Sequence, residues 1–246
     1  EIILLGNVRN ESITIEDGNN VSIDLNGFSI RVFDDSPAFT INDAELIVKD
    51  KSAMQTGQVV STKTAAIWVT PVGEFTLGED NSIITLGPYI EGLTFGVYKE
   101  IDADIYSEGI FNFYDGKIVA QVSISGIVND TPAMYSPTVT SGTGNQIGTL
   151  AVISGVEALI GKKTYTTIEQ AIFEANTIYG ALGEEVEVDL VADANVEDEL
   201  IIPAGRNIIL DLNGKQLTTL VDKYVIRNNG TLKVKDSNTG EYDLES

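Results

Sequence analysis

The chain has 246 residues, 43% of them hydrophobic, which is enough to build one long all-β body or two smaller units around a continuous core. Its 37 acidic and 15 basic side chains give a formal net charge of −22, so we expect no nucleic-acid partner. It has neither cysteine nor histidine, which excludes disulfides, thiolate metal sites, cysteine nucleophiles, serine triads and histidine zinc sites.

Short alternating apolar strands are predicted from the N-terminus onward, at intervals of about 8 to 12 residues. Gly, Asn and Asp interrupt them. The predicted strands centre on Ile13/Ile15, Ile23/Leu25, Phe39/Ile41, Leu46/Val48, Ile67/Val69, Phe75/Leu77, Phe111/Phe113 and Ile118. A weak self-match joins residues 73–83 with 109–118. This spacing is typical of a solenoid, a sandwich or a barrel, and periodicity alone does not choose among them.

A segment near the N-terminus recurs near the C-terminus. The sequence IEDGNNVSIDLNGFSI at 15–30 matches IPAGRNIILDLNGKQL at 202–217, and INDAELIVKD at 41–50 matches RNNGTLKVKD at 227–236. The offset between the copies changes by one residue from the first block to the second. Loop drift after a duplication leaves such a pattern, so the sequence predicts a duplicated unit.

Each copy of the repeat contains Asp-Leu-Asn-Gly directly after a strand. Asn and Gly tolerate positive φ, and the Asp can accept hydrogen bonds from amides of the turn. We therefore interpret six residues as structural turn residues: Asp24, Asn26, Gly27, Asp211, Asn213 and Gly214.

One segment, 164–180, has the periodicity of an amphipathic helix. Its apolar stripe consists of Ile168, Ala171, Ile172, Ala175 and Tyr179. A capping box is formed by Thr166 with Glu169 or by Thr167 with Gln170. The segment therefore has both the period and the start signal of a helix.

We predict one amphipathic capping helix at about 167–179, with Gly180 placed to end it. Strands separated only by short turns follow it. A solenoid has an open end with unpaired strand edges and exposed apolar core, and a helix laid over that end covers both. The helix therefore favours a solenoid over a sandwich.

The order TTIEQAI, an apolar strand, IPAGRNIILDLNGKQLT and IRNNGTLKVKDS resembles the first coils of pectin-lyase-like proteins. In detail it is similar to the repeated modules of large bacterial surface proteins. The resemblance implies an all-β fold, a right-handed parallel β-helix or β-solenoid. We expect two solenoid units: 1–154, which lacks its own capping helix, and 155–246, which starts with the helix and is truncated.

The same fold hosts lyases, hydrolases, adhesins and phage tailspikes, so function has to be argued from sites. Polygalacturonase-like members carry Gly-His-Gly and Arg-Ile-Lys motifs, and neither occurs in this sequence. Calcium-dependent pectate lyases resemble one another in using a basic residue, usually Arg, to abstract a proton. Arg206 and Arg227 are interpreted as surface positions, so we expect no catalytic residue, no enzyme activity and no cofactor.

Acidic residues offer hard oxygen ligands for Ca²⁺. The candidates are Asp34, Asp35, Asp193, Glu197 and Asp198. Their spacing matches neither an EF-hand nor a Gly-Gly-x-Gly-x-Asp repeat, and a solvated acidic face is the alternative.

Aromatic side chains are the candidates for stacking against a host or cell-surface glycan. They are Trp68, Tyr89, Tyr98, Tyr106 and Tyr114. For Trp68, packing in the core or in the coil stack is the alternative interpretation.

We expect a non-enzymatic, extracellular structural or adhesive module of a larger protein on the bacterial cell surface. Its expected partners are neighbouring repeats of the same chain or further copies in a self-assembly, and no apolar run predicts membrane insertion. One alternative is a phage or virion fibre, tailspike or capsid-decorating protein. Another is a polysaccharide lyase or hydrolase.

Overall fold

The computed structural model describes residues 1–80, 85, 87–102, 107–123, 128–141, 144–179, 183–219, 224–238 and 244–245. These residues are nearly all β, with one α-helix, and their parallel strands stack into a β-solenoid of about 8 turns. The predicted fold class is therefore confirmed. By its internal contacts the chain divides into unit 1, Glu1–Val152, and unit 2, Ile153–Ser246.

Unit 1 consists of short strands. In chain order they are β1 (Ile2–Ile3), β2 (Val8–Arg9), β3 (Ile13–Ile15), β4 (Asn20–Asp24), β5 (Ser29–Val32), β6 (Phe39–Ile41), β7 (Glu45–Lys49), β8 (Gln58–Ser61), β9 (Ile67–Val69), β10 (Glu74–Leu77), β11 (Tyr89–Gly92), β12 (Val97–Lys99), β13 (Ile101–Asp102), β14 (Ser107–Glu108), β15 (Ile110–Phe113), β16 (Lys117–Ala120), β17 (Tyr135–Ser141) and β18 (Gln146–Val152).

All of these strands except β13 and β14 form three sheets that the chain visits in turn. The first sheet has the parallel order β1-β4-β7-β10-β15, and the third has the parallel order β3-β6-β9-β12. The second sheet runs in parallel from β2 through β5, β8 and β11 to β16, after which β18 and β17 add antiparallel strands. Each neighbour in the first four turns is the third strand further along the chain, which is the connectivity of a solenoid.

Side chains alternate between the core and the outer surface, as the period of a β-strand requires. In β7, Leu46 and Val48 are buried, whereas the neighbouring positions are half-buried on the other face. Core side chains at one register position stack along the solenoid. Phe75 of β10 pairs with Phe111 of β15, and their ring centroids lie 5.5 Å apart. The weak self-match at 73–83 and 109–118 therefore joins strands of adjacent turns.

The turns of unit 1 differ in length although their strands remain in register. Ile2 pairs with Ile23, Ile23 with Val48, Val48 with Leu77, and Leu77 with Phe113, so successive turns take 21, 25, 29 and 36 residues. Among the described residues, the additional ones lie between the strands of these three sheets. The antiparallel pair β13 and β14 lies within the longest of these turns.

Unit 2 combines a smaller solenoid with the helix. In chain order its elements are β19 (Ala158–Ile160), β20 (Lys163–Tyr165), α1 (Ile168–Thr177), β21 (Glu185–Leu190), β22 (Ala194–Val196), β23 (Leu200–Ile202), β24 (Asn207–Asp211), β25 (Leu217–Thr219), β26 (Ile226–Asn228), β27 (Thr231–Lys235) and β28 (Leu244–Glu245). Strands β21, β24 and β27 pair in parallel, as do β22 with β25 and β23 with β26. Antiparallel strands flank the first of these sheets, β19 and β20 on one side and β28 on the other.

Helix α1 begins after Thr167, whose hydroxyl oxygen accepts a hydrogen bond from the Gln170 amide at 3.3 Å. A complete capping box would also have the Thr167 amide donate to the Gln170 side chain. That side-chain oxygen instead accepts from the Thr166 hydroxyl at 3.0 Å, so one of the two capping-box bonds is formed. The helix ends at Thr177 with Ile178 as its C-cap. Gly180, the predicted end, lies outside the described residues.

The apolar stripe of α1 covers the first turn of unit 2. Ile168, Ala171, Ile172 and Ala175 are buried in the core of the unit. The helix packs against β21, β22 and β23, which are the three strands of that turn, and against β19 and β20. The predicted capping helix is therefore confirmed.

Candidate functional site

The Asp-Leu-Asn-Gly sequence of unit 1 forms the corner between β4 and β5. The Oδ1 atom of Asp24 accepts hydrogen bonds from the backbone amide of Asn26 at 2.9 Å and from that of Lys51, one turn further along, at 3.0 Å. Asn26 and Gly27 have φ values of 46° and 80°, a conformation that these two residue types tolerate. Asp24 therefore joins its own turn to the next one.

A second carboxylate completes this corner. Asp50, at the end of the shared Val-Lys-Asp sequence, accepts from the amides of Gly27 at 2.9 Å, Ser52 at 3.1 Å and Gly57 at 2.5 Å. A Cβ atom at Gly57 would lie 2.5 Å from the Cβ of Leu25, so only glycine fits there. Asp50 was not among the predicted site residues, although its recurrence at the end of both repeat copies was a signal for it.

Unit 2 repeats the bonds of Asp24 at the corresponding carboxylate. Asp211 Oδ1 accepts from the amides of Asn213 at 2.9 Å and Ser237 at 3.0 Å. The Ser237 hydroxyl also donates to Asp211. The φ of Asn213 is 47°, close to that of Asn26. The Asp-Leu-Asn-Gly corner therefore has the same geometry in both copies of the repeat.

The second carboxylate of the corner also recurs. Asp236 Oδ1 accepts from the amides of Gly214 at 2.7 Å and Asn238 at 3.3 Å, as Asp50 Oδ1 does from those of Gly27 and Ser52. Gly214, with a φ of 74°, takes the left-handed conformation that the corner needs. The duplication thus preserves a set of bonds between carboxylates and turn amides.

An ion-pair cluster lies beside the corner of unit 1. Lys49 Nζ is 2.9 Å from an oxygen of Glu1 and 2.8 Å from one of Glu79, and Lys51 Nζ lies 3.3 Å from each of the same oxygens. Burial acts to lower the pKa of Lys49, but the hydrogen bonds to the two glutamates outweigh it, so this pKa lies above its usual value. Hydrogen bonds to Lys49 lower the pKa of Glu79. Lys49 is therefore held in its charged form.

Glu187, Asp189 and Asp211 are the one group of three carboxylates among the described residues whose oxygens all lie within 4.8 Å of one another. Lys235 Nζ lies 2.6 Å from Glu187 Oε1 and 3.3 Å from Asp211 Oδ2. Burial, together with the negative charges of Glu187 and Asp211, raises the pKa of Asp189 to about 6. Ca²⁺ takes about six to eight oxygen ligands, and two of these three carboxylates are already paired with the Lys235 ammonium group, so the cluster fits Ca²⁺ poorly.

The five predicted calcium candidates are not members of this carboxylate group. Asp34 and Asp35 lie between β5 and β6, where Asp34 accepts from an amide of its own loop at 3.0 Å and Asp35 is 90% exposed. Asp193, Glu197 and Asp198 flank β22, and Asp193 accepts from an amide of the next turn at 2.9 Å. Within the described ranges, none of the five belongs to a cluster of three carboxylates.

Two of the predicted aromatic candidates meet on the outer face of the third sheet. Trp68 and Tyr98 are paired residues of β9 and β12, and their ring centroids lie 4.6 Å apart at an interplanar angle of 57°. The Phe95 ring lies 5.1 Å from that of Tyr98, and Trp68 Nε1 donates to Glu100 at 3.1 Å. These four half-buried side chains form an aromatic patch with a carboxylate beside it.

The other aromatic candidates are separate from this patch. Tyr89 lies on β11 in the second sheet, with Lys117 Nζ 5.9 Å from its ring centroid. The hydroxyl of Tyr114 donates to Asp130 at 2.7 Å. Tyr106 lies outside the described residues.

Neither a protein-family model, nor a curated protein, nor a solved structure matches this chain. Among the residues that the structure describes, no helix has the length and apolar character needed to cross a membrane.

Proposed function

We propose that this chain is a non-enzymatic structural or adhesive β-solenoid module of a larger surface protein or assembly. The proposal rests on the residues that the internal duplication preserves. Asp24 and Asp50 in one copy, and Asp211 and Asp236 in the other, all accept hydrogen bonds from backbone amides that link adjacent turns. Residues kept for this purpose maintain a stack of turns and leave their carboxylates engaged with the backbone.

An extracellular position on a bacterial cell is part of the proposal. It is supported by the resemblance to modules of bacterial surface proteins. The adhesive part is supported by the aromatic patch around Trp68 and Tyr98, because half-exposed aromatic rings offer an apolar face with polar groups at its edge. A host or cell-surface glycan is the partner that we propose for this patch.

Assays against acidic polysaccharides test the non-enzymatic function. The full chain is incubated with polygalacturonate and alginate, with Ca²⁺ or with a chelator, while unsaturated products and new reducing ends are measured. We expect no turnover in either condition. Turnover that is lost in Asp189→Asn, but kept in Asp35→Asn, would contradict the proposal and support a lyase or hydrolase.

The same preparation tests the virion alternative. Sedimentation of the full chain measures its oligomeric state, which for a module linked covalently to its neighbours we expect to be monomeric at micromolar concentration. A stable trimer would instead favour a fibre or tailspike.

A further inference from the structure

Lys99 occupies a core position of the third sheet. The strands of the earlier turns carry buried aliphatic residues at the same register position, and the row runs in succession through Ile15, Ile41 and Val69 to Lys99. The Lys99 side chain is 1% exposed, and among the residues that the structure describes it is the one buried lysine. A buried ammonium group is strongly destabilising unless partners compensate for it, so the neighbours of this lysine matter.

Two polar partners of Lys99 come from later segments of the chain. Its Nζ atom lies 3.2 Å from Oε1 of Glu108, which belongs to β14 in the antiparallel pair between β12 and β15. The same atom donates a hydrogen bond at 2.9 Å to Oδ1 of Asn129, which lies between β16 and β17. An amine, a carboxylate and a side-chain amide from three separate segments therefore meet at one place in unit 1.

The side-chain amide of Asn129 is held in one orientation. Its Oδ1 atom also accepts from the backbone amide of Phe111 at 2.8 Å, while the Asn129 backbone amide donates to the Phe111 carbonyl at 2.7 Å. Because a backbone N–H only donates, the atom that faces it is the carbonyl oxygen. With a C=O bond of about 1.23 Å, Lys99 Nζ lies at most about 4.1 Å from the amide carbon Cγ.

The surrounding groups favour addition of the amine to this carbon. A donor fixed at a carbonyl oxygen stabilises the negative charge that develops there when a nucleophile adds, and the Phe111 amide is such a donor. Glu108 lies beside the nucleophile, where a carboxylate can accept the protons that the amine has to lose. Asn129 is exposed, so ammonia released from it has a path to water.

We propose that Lys99 and Asn129 join in an intramolecular amide bond, an isopeptide cross-link within unit 1. The Lys99 ammonium gives one proton to Glu108, and the resulting amine attacks Asn129 Cγ. The Nζ–Cγ bond forms, a second proton leaves Nζ, and the Cγ–Nδ2 bond breaks. Glu108 passes both protons to Nδ2, which departs as an ammonium ion, so atoms and charge balance without an oxidant or a co-reactant.

The product removes the charge from the core position. A neutral amide replaces the ammonium group, its oxygen keeps the Phe111 donor, and its N–H donates to Glu108. The bond closes a loop over residues 99–129, which contains β13, β14, β15 and β16. The step takes place once per chain, so it goes beyond the structural function proposed above and involves no turnover of an external substrate.

The intact mass of the unsubstituted chain tests the proposal without any variant. The full chain is denatured and measured by mass spectrometry. We expect a mass lower than that of the sequence by about 17 Da, which is the mass of ammonia. A mass equal to that of the sequence would overturn the proposal.

A tryptic digest locates the bond. Trypsin cuts after Lys63, Lys117 and Lys162 but not after an acylated lysine, so we expect 64–117, uncut after Lys99, joined to 118–162. Asparagine also loses ammonia when it closes onto its own backbone, without a cross-link. That reaction would give separate peptides 64–99, 100–117 and 118–162, and this result would overturn the proposal.

Three variants assign the roles. Lys99→Met removes the amine and Glu108→Gln removes the proton acceptor at nearly constant size, so we expect both chains to have their full sequence mass. Lys63→Met is the matched control, because this lysine is 53% exposed and pairs with Asp35. It should keep the deficit of about 17 Da.

Far-UV circular dichroism checks that each variant is folded. A deficit that persists in Lys99→Met would overturn the cross-link, and one that persists in Glu108→Gln would overturn the assignment of Glu108 as the proton acceptor. The mass of the unsubstituted chain decides the proposal even where a variant does not fold.

Discussion

The buried carboxylates at the duplicated corners bond to backbone amides. Asp50 is 7% exposed and accepts from three of them, in two successive turns. Hydrogen bonds to a charged acceptor are stronger than neutral ones, and a buried charge without such partners would be strongly destabilising. Stacking of the turns therefore requires an aspartate at the position of Asp50. This requirement accounts for the aspartate at the corresponding position of the second copy, Asp236.

Asp189 leads to a pH prediction. Its pKa is raised from 3.8 to about 6, so between these values the folded state holds a proton that the unfolded state has lost. Stability from this group is therefore present below about pH 4 and is lost as the pH rises through 6. Asp189→Asn should be the more stable protein at pH 7, by about 1 kcal/mol after allowance for solvent screening at this half-exposed group, and the difference should vanish near pH 4.

Urea denaturation followed by far-UV circular dichroism at pH 4, 5, 6 and 7 measures this difference. Asp35→Asn is the matched control, because that side chain is 90% exposed and the substitution is the same. If the stability advantage of Asp189→Asn over the unsubstituted chain instead grew toward low pH, the Asp189 pKa would not be raised by folding.

At the scale of elements, the helix could be predicted closely and some strands could not. The 3.6-residue period and the threonine start signal of α1 are local, so 167–179 lies within two residues of the observed Ile168–Thr177. Strands β17 and β18 are among those that the sequence analysis does not predict. Pro137 lies within β17, and proline argues against a strand unless the strand is at a sheet edge, where the structure places β17.

The start of α1 supports a second prediction. Thr167→Ala removes the side-chain acceptor for the Gln170 amide and should lower the stability of unit 2 by about 1 kcal/mol. Hydrogen exchange at the amides of α1 and β21 measures the effect locally. Tryptophan fluorescence does not serve here, because the one tryptophan, Trp68, lies in unit 1.

Thr177→Ala is the control for this experiment. It makes the same substitution at the other end of the same helix, where the threonine is exposed and donates back to the Phe173 carbonyl. Alanine favours a helix more than threonine does, so exchange should stay the same or slow slightly. Equal acceleration in both variants would contradict the capping role of Thr167.

At the scale of the whole molecule, composition indicated the net charge and the kinds of site that are excluded. The carboxylate group of Glu187, Asp189 and Asp211 instead depends on strand pairing between residues that are distant in sequence. Glu187 and Asp189 are close in sequence, but their contacts with Asp211 and Lys235 follow from the register of β21, β24 and β27. A one-residue shift in that register would place different side chains together. Sequence patterns predicted that these strands exist and did not predict which rows of side chains they form.

The net charge of −22 gives the third prediction. Raising NaCl from 0.1 to 1 M shortens the screening length from about 10 Å to about 3 Å, and weaker self-repulsion should raise the Tm by about 5 °C. At 1 mM, CaCl₂ and MgCl₂ should give equal Tm values. A larger effect of CaCl₂ that Asp34→Asn with Asp35→Asn removes would instead establish a calcium site.

The unequal turns of unit 1 have a consequence for protein engineering. Between Leu77 and Phe113 the chain takes 36 residues where the first turn takes 21, yet both pairs are in register. The connection between β12 and β15 already contains the additional strands β13 and β14, so we expect it to accept grafted foreign sequences as well. An epitope displayed at that corner would be carried outside the stack, and the spacing between successive turns would stay at the roughly 4.8 Å that backbone pairing sets.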